Sequence, residues 1–309
     1  MPALTEGLHK AVKSKPDSPS TSLAPRRRTW RQTAERVGRV AGALKALEVG
    51  RGDRIAILAQ NSDRYFELMY AAAWVGAALV PMSTHLTAAE ILHILVNSGT
   101  TTLFIDGAMA HHLTDLEGKI EEVREVVWID DISSPEGMLH YEDMTAYDPV
   151  PDTGAADGEL AGIFYDSGGT LANGVKLSHA DMLANASETA SNVGFDGNTV
   201  YLHASPMFEL AEDALTFGVT LAGGRHVFVP RFDASEVLQI IANDKVTHAQ
   251  LVPEMIERLI GHPRFTESDL STLQSILYGG IPMSQSLLRK VKESLPHVRL
   301  IDGDGKTAA

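Results

Sequence analysis

Apolar residues recur along this chain in two alternating rhythms, one helical and one continuous over four or five positions. Val37, Val40, Ala41, Leu44 and Leu47 fall at helical spacing, which predicts an amphipathic helix over 32–47. Gly50 and Gly52 end it, and 54–58 reads as a short buried strand. A second helix is predicted over 63–74, followed by an apolar segment at 77–81. Thr87 with Glu90 three residues on has the form of a capping box, opening a helix that runs to about Val96. Strands are predicted at 102–105 and 126–129. Later in the chain the strand candidates are 200–203, 226–229, 248–252, 275–278 and 298–301. Helical patterns at 182–191, 212–221, 235–243, 253–260 and 284–295 lie between or before them. Short apolar strands alternating with helices imply an α/β fold of mostly parallel sheets covered on both faces. At 309 residues two lobes are expected, with the turn-rich, acidic 149–158 joining them.

In such sheets ligands sit beyond the carboxyl ends of the strands. The loop around Ser167 and the segment around Gly303 both occupy that kind of position. Residues 163–179 read IFYDSGGTLANGVKLSH, an apolar run ending in a Ser/Thr/Gly loop before a helical pattern. Small residues leave backbone N–H groups and hydroxyls open to an anion, so a phosphate-holding loop is one reading. An ordinary Gly-rich strand-to-helix connection is the other. Gly169 to Gly174 has the glycine spacing of a Walker A loop, but Val175 follows and Lys176 comes one place late. No GxGxxG follows a strand, no HExxH occurs, and Tyr165 stands where a nucleophile elbow needs glycine. His111 and His112, beside Asp115, are expected at the surface.

A formal net charge of −14 argues against general affinity for DNA, RNA or anionic membranes. Any nucleotide site must therefore gather its own donors. Arg26, Arg27 and Arg28 form the only dense basic cluster and read as a solvated turn. The absence of cysteine excludes disulfides, thiolate nucleophiles and Cys-ligated metals. The first twenty residues lack the apolar core of a secretory signal, and the uncharged stretch 68–82 is too short to span a bilayer. A soluble, cytoplasmic protein is expected.

Several segments together resemble the adenylate-forming superfamily of acyl- and aryl-CoA synthetases, adenylation domains and luciferases. That family's signature loop has the form Y-T-S-G-T-T-G-x-P-K-G-V-x-L-S-H. Tyr165, Ser167, Gly168, Thr170, Gly174, Val175, Leu177, Ser178 and His179 match it with one residue deleted. The stretch from Thr29 is similar to the family's N-terminal helix and strand, and that from Tyr201 to its acyl-pocket segment. ILYGGIPMSQSLLRKV, from Ile276, and LIDGDGKTA, from Leu300, resemble the adenine-contacting region and the G-Y-G-x-T-E signature.

The resemblance implies two stacked, mostly parallel sheets flanked by helices, as in that family's large N-terminal domain. Approximate lobes would be 59–190 and 1–58 plus 191–309. It implies ATP or AMP with Mg²⁺, CoA as co-substrate and a small carboxylic acid as partner, with homo- or hetero-oligomers left open. Nucleotide-binding positions would be Ser167, Gly168, Gly169, Thr170, Gly279, Gly280, Ile281, Asp302, Gly303, Asp304 and Thr307. Phe208 and Glu209 would line the acyl pocket, and Lys176 is a candidate phosphate contact.

The implied reaction adenylates the carboxylate and then transfers the acyl group to CoA. The chain departs from the pattern where charge matters. The loop lysine is missing, with Asn173 at about that place, Leu171 replaces a glycine, and Asp166 replaces the usual threonine. Asp304 stands in place of an aromatic residue, Ala308 in place of the glutamate associated with Mg²⁺, and Glu209 where histidine is common. Removing one preorganised contact at a reacting centre costs roughly 2.7–4 kcal/mol. The resemblance further implies that a ribose-binding aspartate, a hinge and a mobile C-terminal domain with a catalytic lysine would lie beyond Ala309. The chain is thus expected to be an incomplete large domain that is inactive alone. The alternative is a non-catalytic nucleotide- or acyl-binding pseudoenzyme, or a folded remnant.

Overall fold

The computed structural model describes residues 3–155, 157–165, 174–279 and 282–302. Its first third runs α1 (Glu6–Ser14), β1 (Pro19–Leu23), β2 (Arg26–Thr29), α2 (Trp30–Ala46), β3 (Arg54–Leu58), α3 (Asp63–Val75), β4 (Ala78–Pro81), α4 (Ala88–Ser98) and β5 (Thr102–Ile105). Then come α5 (His112–Leu116), β6 (Glu125–Trp128), β7 (Leu139–His140), α6 (Tyr141–Met144), β8 (Leu160–Phe164), β9 (Val175–Ser178) and α7 (His179–Val193). The last part holds β10 (Val200–His203), α8 (Leu210–Ala222), β11 (Arg225–Phe228), α9 (Ala234–Asp244), β12 (His248–Gln250) and α10 (Pro253–Ile260). After a 3-10 turn at Pro263–Glu267 it closes with β13 (Ser275–Tyr278), α11 (Gln285–Ser294) and β14 (Arg299–Asp302).

Local signals set many of these boundaries. Capping boxes start α2 (Thr29 with Gln32), α4 (Thr87 with Glu90) and α7 (Ser178 with Asp181), each satisfying otherwise orphaned first-turn N–H groups. Gly76, at φ 77°, takes the left-handed conformation that ends α3.

The strands form two seven-stranded sheets, ordered β14-β13-β12-β10-β11-β1-β2 and β7-β6-β5-β3-β4-β8-β9. All described pairings are parallel except β1 with β2 and β8 with β9, each an antiparallel hairpin at a sheet edge. The expected pair of mostly parallel sheets is therefore present. Strand β3, which the lobe division above counts with the N-terminal segment, is hydrogen-bonded in the second sheet.

Helices fill the space between the sheets. Every residue of α3 is buried, and its core cluster reaches Ile55 and Leu79 of one sheet and Phe228 of the other. Burial on all sides explains the uncharged stretch 68–82: it is the middle of the sandwich, α3 followed by β4. Each large apolar side chain so enclosed contributes about 1.5–3 kcal/mol. The outer faces carry separate cores, under α9, α10 and α11 on the first sheet and under α4 and α5 on the second. Among the described residues no helix is long and apolar enough to cross a membrane.

Three expectations change. Residues 149–158 do not join the lobes, because they link α6 to β8 within the second sheet. They pack there as a strap: Trp74 Nε1 donates to Val150 O at 2.9 Å, and the Thr153 N–H to Trp74 O at 3.0 Å. His112 is buried while His111 stays exposed, because the short α5 turns the second ring inward.

The third change concerns the arginine cluster, which is strand β2 and not a solvated turn. Alternation along a strand puts Arg26 and Arg28 on one face, and both pair with Asp63 at the start of α3. Arg26 also reaches Asp131, and Arg27 pairs with Asp244 at 3.3 Å. Arg36 of α2 bonds Glu67 at 2.8 Å and Glu142 at 3.0 Å, while Arg64 holds Glu142 and Asp131 at 2.7 Å. Tyr141 donates to Glu67 at 2.8 Å. Burial would raise the Asp63 carboxyl, but Arg26 and Arg28 outweigh it and hold it below the usual range. Hydrogen bonds from Arg26 and Arg64 hold Asp131 down at about 2. At Glu67 burial wins, and its carboxyl is pushed up despite Arg36 and Arg28. The network ties the edge of the first sheet to helices of the second.

Candidate functional site

Strands β14, β13, β12 and β10 are parallel neighbours, so their carboxyl ends open on one side. Tyr278 and Asp302 face each other there in the β13–β14 register. Partial burial and the charge of Asp302 both push the Tyr278 phenol up. Gly279 follows directly and is half-buried.

Beside them the chain leaves β10 and crosses to α8 through 204–209. This segment is fixed by Asn61, which follows β3 in the other sheet. The Asn61 amide donates to His203 O at 3.1 Å and Ser205 O at 2.8 Å, and its Oδ1 accepts the Met207 N–H at 2.8 Å. Ser205 Oγ donates to Gln250 O at 3.0 Å. All of Asn61's main hydrogen-bonding directions are thus used inside the protein. Phe208 is half-buried, its ring edge-on to His85 at 6.5 Å. Glu209 is exposed and sits at the N-cap of α8 without capping it. Partial burial of its carboxyl and nearby Glu212 push it up, with His85 acting the other way.

Beneath this segment runs a buried polar row. Glu212 meets His203 Nδ1 at 2.8 Å, His203 Nε2 meets His226 Nδ1 at 2.9 Å, and His226 Nε2 meets Thr220 Oγ1 at 2.9 Å. Tyr201 donates to Glu212 at 2.9 Å. Burial pushes Glu212 up and both His203, to about 3, and His226 down, so burial disfavours charge along the row. Asp213 beside it is pushed up to about 8 by burial, and among the described residues its Oδ1 and the Tyr65 hydroxyl have no hydrogen-bond partner.

In the second sheet β8 runs to Phe164 and β9 returns from Val175, so the Gly-rich stretch joins two antiparallel strands rather than a strand to a helix. Helix α7 begins only after β9. Gly174 leads into β9 at close quarters: a Cβ there would press into the Ile163 side chain and lie 2.8 Å from the Tyr165 ring. Tyr165 OH donates to Asn97 at 2.7 Å.

The AMP-binding enzyme family matches residues 8–308, nearly the whole chain. The chain belongs to the AMP-binding enzyme family. A fatty acid–[acyl-carrier-protein] ligase, ScoC of Streptomyces coeruleorubidus, is 30% identical over 281 residues, covering 89% of this chain and 53% of that protein. A 4-coumarate–CoA ligase, CCL1 of Humulus lupulus, is 28% identical over 280 residues, covering 88% and 51%. The chain therefore spans about half the length of these relatives. The crystallised N-terminal domain of FACL13 from Mycobacterium tuberculosis superposes with a TM-score of 0.88 at 24% identity, covering 98% of this chain and 76% of that one. That likeness is one of fold.

Of the positions that the family resemblance assigns to nucleotide, Gly279 and Asp302 are described and lie on adjacent strand ends. Ser167, Gly168, Gly169, Thr170, Gly280, Ile281, Gly303, Asp304 and Thr307 lie outside the described residues, as do Asp166, Leu171, Asn173 and Ala308. Lys176 is on β9, exposed, opposite Ile163 in the hairpin register. Among the described residues no group of three His, Asp or Glu side chains is placed to hold a metal. The glutamate that the family resemblance associates with Mg²⁺ is Ala308 here, whose methyl offers no oxygen ligand, so the residues do not fit that ion.

Sequence reasoning found the segment containing Phe208 and Glu209 but missed Asn61, which positions it. The available signal was a polar Asn between a buried strand and the N-cap Ser62.

Proposed function

We propose that this AMP-binding chain holds an adenine nucleotide and a carboxylic acid in the manner of an acyl- or aryl-CoA synthetase large domain, and that it binds without turning over by itself. The observation that carries this reading is the placement of Tyr278, Gly279 and Asp302 on the same side of the sheet as the Asn61-fixed segment. At a strand spacing of about 4.8 Å, β14 and β10 are three steps or roughly 14 Å apart, a span suited to an adenylate with its acyl group. Phe208 supplies an apolar wall, and burial disfavours charge in the polar row beneath it.

In the activity this reading assigns to the family's ligases, a carboxylate oxygen attacks the α-phosphorus of ATP and the bond to pyrophosphate breaks. A thiol then attacks the acyl carbonyl, AMP leaves, and the thiol proton passes to solvent. ScoC and CCL1 differ in the thiol their names imply, carrier protein against CoA, and CoA is the one proposed here. The loss of turnover is proposed from the sequence: Asp166, Leu171, Asn173 and Ala308 remove cationic or close-approach positions that would stabilise phosphate charge. A cytoplasmic site of action fits the use of ATP.

Thermal-shift titration with AMP, ATP and a non-hydrolysable acyl-adenylate analogue tests binding, with a saturable rise in Tm expected. Carboxylate-dependent pyrophosphate exchange tests turnover, and none above background is expected. Absence of stabilisation by all three ligands would overturn the binding reading, and robust exchange would overturn the inactive one.

A further inference from the structure

The crossing from β10 to α8 changes from open to closed within one helical turn. Phe208 is half-buried and Glu209, Leu210 and Ala211 are exposed, whereas every residue from Glu212 to Thr220 is buried. The strand order of the first sheet reverses at β10, with β11 on one side and β12 on the other. A crevice at the carboxyl ends of such strands is where a ligand enters an α/β sheet. From a seat beside Phe208 an acyl group can lengthen outward into water or downward between the β10–β11 pair and helices α3 and α8.

The downward way is occupied. Glu212 is hydrogen-bonded to Tyr201 and His203, and the row continues through His226 to Thr220. Behind it rings stand against one another: Tyr201 on His203 with centroids 4.7 Å apart, His203 on Phe228 at 4.6 Å, and Phe66 of α3 on His226 at 4.6 Å. Tyr70 and Phe217, at 5.1 Å, extend the packing further. Each of these rings is at most 2% exposed. Methylenes pushed into such packing force side chains off their rotamers, and parting the row orphans buried donors and acceptors. The upper edge of the row is also held, since Asn61 ties the His203 carbonyl, the Ser205 carbonyl and the Met207 N–H to the second sheet. We propose that this plug makes the site selective for short-chain carboxylic acids, with Glu212 setting its depth. This selectivity rests on the adenylate-binding reading above and narrows the acid it assigns. A longer chain has to run out into water, where its added methylenes find no apolar wall.

Calorimetric titration of the whole chain with AMP and with acyl-sulfamoyladenosines from acetyl to dodecanoyl tests this. In an open apolar tunnel each added methylene tightens binding by about fourfold. Here the affinity is expected to level off within the first few carbons, with the dodecanoyl analogue binding no tighter than the butyryl one. A rise that continues to dodecanoyl overturns the proposal while leaving nucleotide binding in place. No response to AMP or to any analogue overturns the adenylate-binding reading, and the selectivity with it. Glu212→Ala, checked for cooperative unfolding, should carry the rise on to longer chains, whereas Glu212→Gln, which keeps the volume, should level off as the unaltered chain does. Levelling at the same length in a folded Glu212→Ala variant, or a shift in Glu212→Gln, overturns the role given to Glu212. Should Glu212→Ala not fold, the chain-length series on the unaltered protein still decides the proposal.

Discussion

The two ends of this molecule treat charge in opposite ways. At one end, β2, α2, α3, α6 and the loop after β6 bring four arginines and four acids into a partly buried lattice that joins the sheets. At the other, the carboxyl ends of β13 and β14 and the β8–β9 hairpin offer Tyr278, Gly279, Asp302 and a run of small residues, with Lys176 turned to solvent. Among the described residues, cationic groups serve architecture at the first end and are few at the second, the end proposed above to hold a nucleotide.

The sharpest way to break this contrast is to remove an acid from the lattice. Asp63→Ala leaves Arg26 with Asp131 alone and Arg28 with Glu67 alone in a partly buried site and should cost about 3 kcal/mol in urea unfolding. A loss below about 1 kcal/mol would mean the lattice does not hold the lobes. Next comes Asp213, a buried acid outside the lattice. Its folded pKa of about 8 lies above its unfolded value, so the folded state keeps a proton the unfolded state has released. Stability is then highest, for this group, below about pH 4 and falls by up to about 1.4 kcal/mol per unit until pH 8. Asp213→Asn should flatten that slope and raise stability at pH 7 by up to about 4 kcal/mol; an unchanged slope in unfolding experiments across pH 5 to 8 would refute it.

Asn61→Ala removes three buried hydrogen bonds and should cost about 2 kcal/mol, with faster hydrogen exchange at the Met207 amide. If exchange at Met207 is unaltered, the segment is fixed by something else. Returning a cation to the depleted end is a gentler change. Asn173→Lys is expected to tighten ATP binding about tenfold, roughly 1.4 kcal/mol, read by thermal shift. Lys176→Ala should leave both Tm and nucleotide response unchanged, and a clear loss of ATP binding would restore it as a phosphate contact.

Most of the interior was readable because its signals are local. Helix α2 and the capping box of α4 follow from spacing and side-chain chemistry within a few residues. The hairpin β1–β2 was not readable, since PSTSL and RRRT look solvated until Asp63, Glu67 and Asp131 arrive from far along the chain. The strap at 149–158 misled for the same reason: its composition is that of a linker, and only contact with Trp74 reveals its place. At the site, the letters of Phe208, Glu209, Gly279 and Asp302 could be assigned by resemblance. The clasp by Asn61 spans 146 residues to Met207 and leaves no local trace.

Helix α3 is enclosed on every side, and that has a bearing on how the polypeptide matures. One of its walls is supplied early, by β3 and β4, but the other comes from β10, α8 and β11, more than a hundred residues later in synthesis. Until the ribosome has delivered Phe217 and Phe228, the aromatic flank of Phe66 and Tyr70 has nothing to lie against. The nascent N-terminal half therefore exposes an apolar flank that is covered only when the later half closes over it.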